Sequence, residues 1–79
     1  MTQTTFAHKT GNGAFEVHVI QPCRVAVKIG AGDDPKIFNS ARQAYDWCVS
    51  GYADLQGTMR GYSYLNAAYA LEDMIGEAA

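Results

Sequence analysis

The sequence predicts an α+β fold in which an antiparallel sheet of three or four strands is packed on one face by two helices, in the order ββββαα. Two observations favour this fold. In the first half of the chain, apolar and polar residues alternate between turn signals, while from residue 40 onwards apolar residues recur at helical spacing. No linker-like segment divides the 79 residues, so we expect residues 1–79 to form a single domain.

Composition and charge exclude several classes of protein. A hydrophobic content of 48% with only 18% charged residues is typical of a globular domain, not of a disordered tail or a coiled coil. The net charge is −2, and six basic residues are too few for a nucleic-acid-binding face. The sequence shows no signal-peptide pattern and no apolar run near the roughly 20 residues of a membrane span. We therefore expect a cytoplasmic protein that binds neither nucleic acid nor membrane directly.

The first two strands are predicted to form a hairpin. Asn12-Gly13 favours a two-residue turn, because both turn positions require a positive φ and asparagine and glycine tolerate it. This turn places Lys9 opposite Glu16 and Ala7 opposite His18. One face then carries Phe6, His8, Phe15, Val17 and Val19, and the other carries Ala7, Lys9, Glu16, His18 and Ile20.

A third strand follows the connection at residues 21–23, where Pro22 lacks the backbone donor that a central strand needs. A three-residue connection pairs Val17 with Val27 and Glu16 with Lys28. A two-residue turn would instead place Lys28 opposite Val17, on the apolar face. We prefer the three-residue register, because a slip of one residue turns a whole apolar row towards water.

Residues 30–35 are predicted to form a loop, and residues 36–39 a short fourth strand. The first helix is predicted to begin at Ser40, an N-cap residue followed three positions later by Gln43, and to end at Gly51. Its apolar residues are Ala41, Ala44, Tyr45 and Cys48.

A second helix is predicted from about residue 63 to residue 75, after a glycine-rich connection. Its apolar stripe consists of Leu65, Ala68, Leu71 and Ile75.

The sequence contains no pattern typical of an active site, a metal site or a cofactor site. The histidines are 10 residues apart and the cysteines 25 apart, unlike zinc-ligand spacings, and the predicted register puts His8 and His18 on opposite faces. Cys48 falls on the buried stripe of the first helix, where a free cysteine behaves as a small hydrophobe. We therefore expect a protein that is not an enzyme and has no catalytic residue, metal ligand or cofactor.

Five tyrosines, all in the helical half, leave two interpretations open. Tyrosine is enriched among the residues that anchor protein interfaces, so these side chains could contact a partner. They could equally cover a small core while their hydroxyl groups remain in water.

One stretch resembles a family of known proteins. The residues Phe38, Asn39, Ser40, Gln43, Trp47 and Gly51, followed later by Asn66-Ala67, are similar in type and spacing to those of the compact phage anti-CRISPR inhibitors of type I-F surveillance complexes. The predicted element order is also that of these inhibitors. The family contacts the crRNA-coated backbone of its target with tyrosines on the sheet, whereas this chain has no tyrosine in its predicted strands.

The resemblance implies a phage protein that binds a bacterial type I CRISPR surveillance (Cascade) complex stoichiometrically, at its backbone or its large subunit, and blocks the binding of target DNA. The mixed charges of the predicted polar sheet face suit a protein partner, because opposite signs orient a complex. The candidate partner-binding residues are Lys9, Glu16, His18, Arg24 and Lys28. The alternative is a small self-associating phage protein without a CRISPR target. The sequence leaves the oligomeric state open, and a monomer is the simplest expectation.

Overall fold

A computed structural model describes residues 3–20, 24–30 and 34–78 and contains four strands followed by two helices. The strands are β1 (Gln3–Lys9), β2 (Phe15–Ile20), β3 (Arg24–Ile29) and β4 (Lys36–Phe38), and the helices are α1 (Ala41–Asp54) and α2 (Met59–Ala78). The strands form one antiparallel sheet in the order β1-β2-β3-β4. The predicted α+β fold in the order ββββαα is therefore confirmed.

The centre of the sheet has the predicted register. Val17 lies opposite Val27, Phe15 opposite Ile29, and Glu16 opposite Lys28. The two valines are almost completely buried, so the requirement to bury the apolar row selected this register over the two-residue alternative.

The predicted register of the first hairpin is wrong by one residue near its turn. Lys9 lies opposite Phe15 and His8 opposite Glu16, and the pairing shifts between Thr5 and Ala7, which indicates a β-bulge. Lys9 therefore projects towards the helices, and His8 projects away from them.

Contacts of the hairpin loop with α2 explain this difference. The loop is longer than a two-residue turn, and Gly11 and Gly13 take positive φ values of 81° and 72°. The side-chain amide of Asn66 donates a hydrogen bond to the carbonyl oxygen of Gly13 at 3.0 Å. A Cβ atom at Gly13 would lie only 2.6–2.7 Å from the side chains of Asn66 and Tyr62. The conformation of the loop is thus determined by contacts with residues that are distant in sequence, and not by the local turn signal.

The core lies between one face of the sheet and the two helices. Helix α1 packs on β3 and β4, α2 packs on β2 and β3, and the helices pack extensively on each other. At the centre of this layer, the Trp47 ring lies between Phe38 and Tyr64, with ring centroids 5.3 Å and 5.1 Å apart. The largest fully buried side chains of the core are those of Val17, Val27, Cys48 and Leu71.

The start of α1 is as predicted, but its end is not. The backbone N–H of Gln43 donates to the Ser40 hydroxyl at 3.2 Å, which confirms the N-cap. Gly51, predicted to end the helix, lies inside it, and α1 continues to Asp54. The sharp turn falls at Gly57 instead, where φ is +83°.

Helix α2 begins earlier than predicted and buries a different stripe. The backbone N–H of Gly61 donates to the Thr58 hydroxyl at 3.0 Å, so Thr58 caps a helix that starts at Met59 and not at residue 63. Ala68 and Leu71 are buried as predicted, whereas Leu65 and Ile75 are only half-buried. The other buried positions are Gly61, Ser63, Tyr64, Ala67 and Ala70. Within the described residues, neither helix has the length and apolar character needed to cross a membrane.

Replacing Gly51 with alanine should destabilise the fold. Alanine normally stabilises a helix interior relative to glycine, by about 1 kcal/mol. Here, however, the added Cβ atom would lie 2.6 Å from the buried Tyr64 ring, and overpacking of this kind typically costs about 1–3 kcal/mol. Urea denaturation should therefore show a lower unfolding free energy for Gly51→Ala.

Gly76→Ala provides the matched control. A Cβ atom at Gly76 of α2 would meet nothing within 4 Å, so this variant should be neutral or up to about 1 kcal/mol more stable. A Gly51→Ala protein as stable as wild type would show that the two helices do not pack in this way.

Candidate protein-binding face

The helices cover one face of the sheet, and the side chains on its other face are the candidate functional residues. We call this surface the open sheet face. The strand pairing places on it alternate residues of all four strands. They are Thr5, His8, Glu16, His18, Ile20, Arg24, Ala26, Lys28 and Ile37.

A hydrogen-bonded network crosses three strands of this face. His18 contacts the Thr5 hydroxyl through Nδ1 at 3.0 Å and the Glu16 carboxylate through Nε2 at 2.9 Å. A carboxylate only accepts hydrogen bonds, so Nε2–H is the donor, and in the neutral ring Nδ1 then accepts from the Thr5 hydroxyl. The other Glu16 oxygen lies 3.6 Å from Lys28 Nζ. The network links β1, β2 and β3 and holds three polar side chains of β2 and β3 in defined positions.

The network changes the ionisation of Glu16. The hydrogen bond from His18 lowers the pKa of the Glu16 carboxyl below its ordinary value of 4.5, and the positive charge of Lys28 acts in the same direction. Partial burial acts in the opposite direction but is outweighed. Glu16 is therefore a carboxylate at neutral pH and is the anionic centre of a face that also carries cations.

Four of the five predicted partner-binding residues lie together on the open sheet face. Glu16, His18 and Lys28 form the network, and Arg24 is exposed at the start of β3. Lys9 is not part of this surface, contrary to the predicted register. Its Nζ atom lies 5.4 Å from the centre of the Tyr62 ring, on the helical side of the sheet.

Sequence reasoning missed three contributors to this face: Thr5, Ile37 and His8, which was predicted on the opposite face. Thr5 was detectable from its alternation with Ala7 and Lys9, but the β-bulge that places it opposite His18 has no signal in the sequence. Ile37 was detectable in principle, because its neighbour Phe38 is a core residue and adjacent strand residues point to opposite faces. Its side chain is 58% exposed, so the face combines both charges with an aliphatic group.

The two histidines share the open sheet face, which corrects the prediction that they lie on opposite faces. Even so, no group of three or more His, Cys, Asp or Glu side chains within the described ranges could hold a metal ion. Cys48 is buried, as predicted, and burial raises the pKa of its thiol to about 12. Cys23, the other cysteine, lies outside the described residues.

The tyrosines divide between the two interpretations. Tyr64 is buried in the core, and Tyr45 and Tyr52 pack against it. Tyr62 and Tyr69, by contrast, are 48% and 60% exposed on α2. The helical layer therefore uses some tyrosines as core and leaves others available for contact.

Comparison of the chain with protein-family models, curated proteins and solved structures found no match.

Substituting Glu16 by glutamine should remove a pH-dependent contribution to stability. Because the pKa of this carboxyl is lowered by folding, its contribution is fully present above about pH 4.5 and is lost as the pH falls through the lowered folded-state pKa. The Glu16 side chain is 40% exposed, so we expect a difference of no more than about 1 kcal/mol between wild type and Glu16→Gln at neutral pH.

Chemical denaturation at a series of pH values from 7 down to 3 measures this difference. The control is Glu72→Gln, which removes an exposed carboxylate that has no ion-pair partner among the described residues. A wild-type advantage that grows as the pH falls would contradict the direction assigned to Glu16.

Proposed function

We propose that this protein is a non-catalytic anti-CRISPR inhibitor that acts in the cytoplasm of a bacterial host. In this proposal the open sheet face binds a type I CRISPR surveillance complex and prevents that complex from binding target DNA. The observation that carries the binding role is the network of Thr5, His18, Glu16 and Lys28 on a sheet face that the helices leave uncovered. The resemblance of residues 38–51 to type I-F inhibitors suggests the target.

The open sheet face has properties that favour binding to another protein. Side chains already held by neighbours lose less conformational entropy when a complex forms. Opposite charges at fixed positions orient a partner and reject a wrong one. A specific protein–protein interface buries about 800 Å² of accessible surface on each partner. This is about one sixth of the 4873 Å² accessible surface of the protein.

The resemblance supports a shared architecture more directly than a shared target. Phe38 and Trp47 pack in the core layer, Ser40 caps α1, and Gly51 allows Tyr64 to approach. These are structural roles, and a common fold does not by itself establish a common partner. Binding of this protein to a surveillance complex therefore needs a direct test.

The direct experiment is a pull-down with the tagged protein and purified type I surveillance complexes of several subtypes, followed by a DNA-binding assay on each retained complex. Retention with loss of DNA binding would support the proposal and name the subtype. Retention with intact DNA binding would mean that a later step, such as nuclease recruitment, is blocked. Failure to retain any complex would overturn the proposed target.

Reversing a charge on the open sheet face should weaken binding. Arg24→Glu changes an exposed side chain at the start of β3, so the fold should be unaffected while the charge presented to the partner at this position is inverted. We expect a loss of affinity of at least about tenfold, since charge reversal at an interface costs several kcal/mol. The matched control is Arg42→Glu on the exposed surface of α1, which should bind as wild type does.

A second candidate function is self-association through α2. It is supported by the exposed side chains of Met59, Tyr62 and Tyr69. The two tyrosines are about two turns apart and therefore lie on the same face of the helix. Sedimentation of Tyr62→Ala/Tyr69→Ala discriminates the candidates. A wild-type dimer that dissociates in this variant, together with unchanged behaviour of Arg24→Glu, would favour self-association.

A further inference from the structure

Strand β1 borders a groove that is separate from the open sheet face. It is an edge strand of seven residues, and among the described residues it pairs with β2 alone. Between β1 and the C-terminal half of α2 lies an open groove of about 660 Å³. It is lined by Phe6, Ala7, Ala70, Glu72, Asp73 and Gly76.

The path of α2 beside β1 creates this groove. Lys9, at the end of β1, lies over Tyr62 in the first turns of α2, whereas Phe6 and Ala7 line the groove with Ala70 and residues after it. The two elements therefore run side by side in opposite directions. Of the α2 residues that line the groove, Ala70 and Gly76 are small, and the side chains of Glu72 and Asp73 are exposed, so the space beside the strand remains unfilled.

Two of the six residues that line the groove are acidic. Glu72 and Asp73 are both exposed, and within the described part of the chain neither carboxylate forms an ion pair or a hydrogen bond through its side chain. The rest of the lining is largely apolar and includes the half-buried side chains of Phe6 and Ala7 and the buried Ala70. An occupant that matches both surfaces has small apolar groups and a positive charge.

We propose that this groove binds an extended segment of a partner protein that carries a lysine or arginine. The segment adds to the sheet along the free edge of β1, where unpaired backbone N–H and C=O groups are available to it. Side chains on alternate positions of such a segment point the same way, so one small apolar residue packs on Ala7 and Ala70. The neighbouring basic residue on that face binds the carboxylates of Glu72 and Asp73.

A second copy of the chain fits the groove less well. The basic residues of the two edge strands are His8 and Lys9 of β1 and Lys36 of β4. His8 projects to the open sheet face, and the Lys9 ammonium group already lies over Tyr62 of its own chain. The Lys36 ammonium group likewise lies 5.6 Å from the centre of the Trp47 ring of its own chain. A foreign basic segment is the better electrostatic match. This site is independent of the open sheet face, so either proposal can fail without the other.

The test is selection of binders from a phage-displayed library of random 12-residue peptides on the immobilised full chain. We expect enrichment of peptides with alternating β-branched or small apolar residues and at least one Lys or Arg. Binding of the enriched peptides should weaken about tenfold or more in Glu72→Lys/Asp73→Lys, since charge-assisted hydrogen bonds are lost. Lysines near the C-terminus of a helix are favourable, so this variant should fold.

Asp54→Lys is the matched control. It also adds a lysine near the end of a helix, but Asp54 precedes α2, whose start lies 14 residues or about 21 Å from Asp73 along the helix axis. This variant should bind the selected peptides as wild type does. Equal binding to the double variant, or enrichment of acidic peptides or of none, would overturn the proposal.

Amide chemical shifts of the ¹⁵N-labelled protein with a selected peptide locate the site. Changes should concentrate at residues 3–9 and 70–76. Changes confined to β3 and β4 would overturn the proposal. So would a dimer of the unliganded wild type that dissociates in Glu72→Lys/Asp73→Lys, since the occupant would then be a second copy.

Discussion

The close packing of α1 against α2 at Gly51 is the constraint on which the rest of the fold depends. The absence of a side chain at Gly51 allows the Tyr64 ring to lie directly against α1, and that ring in turn contacts Trp47. Trp47 extends the same contact to Phe38 at the edge of the sheet. Two helices joined by a short turn thereby form one continuous layer. A chain of this size has a small core, so a layer that fills the space well is needed for stability.

The single helical layer determines where the protein can interact. Because both helices pack on the same face, no helix covers the opposite face of the sheet, where all four strands have accessible side chains and only Ile20 and Ala26 of the residues named above are buried. Its polar side chains are ordered by contacts with one another, with His18 between Thr5 and Glu16, and Glu16 beside Lys28. The same arrangement leaves the free edge of β1 beside α2. The two proposed binding surfaces therefore both follow from how the helices lie on the sheet.

The parts of the fold that could be predicted from sequence are those set by strong local or alternating patterns. The alternation of Phe15, Val17 and Val27 predicted the central register, and Ser40 with Gln43 predicted the start of α1. The errors arose where a distant contact overrides a local signal. Asn66 holds the hairpin loop at Gly13, which moves Lys9 off the open sheet face. Tyr64 packs against Gly51, which therefore lies inside α1 and does not end the helix. Neither contact is visible in the sequence, because each joins residues brought together only by folding.

Site-specific photo-crosslinking tests most directly whether the open sheet face contacts the proposed target. A benzophenone amino acid would replace either Ile37 on the open sheet face or Val49 on α1, two aliphatic residues that are 58% and 42% exposed. Each protein would be irradiated with the type I surveillance complexes. We predict a crosslink to a complex subunit from position 37 and none from position 49. A crosslink from position 49 alone, or from neither position, would contradict the assignment of the open sheet face as the binding surface.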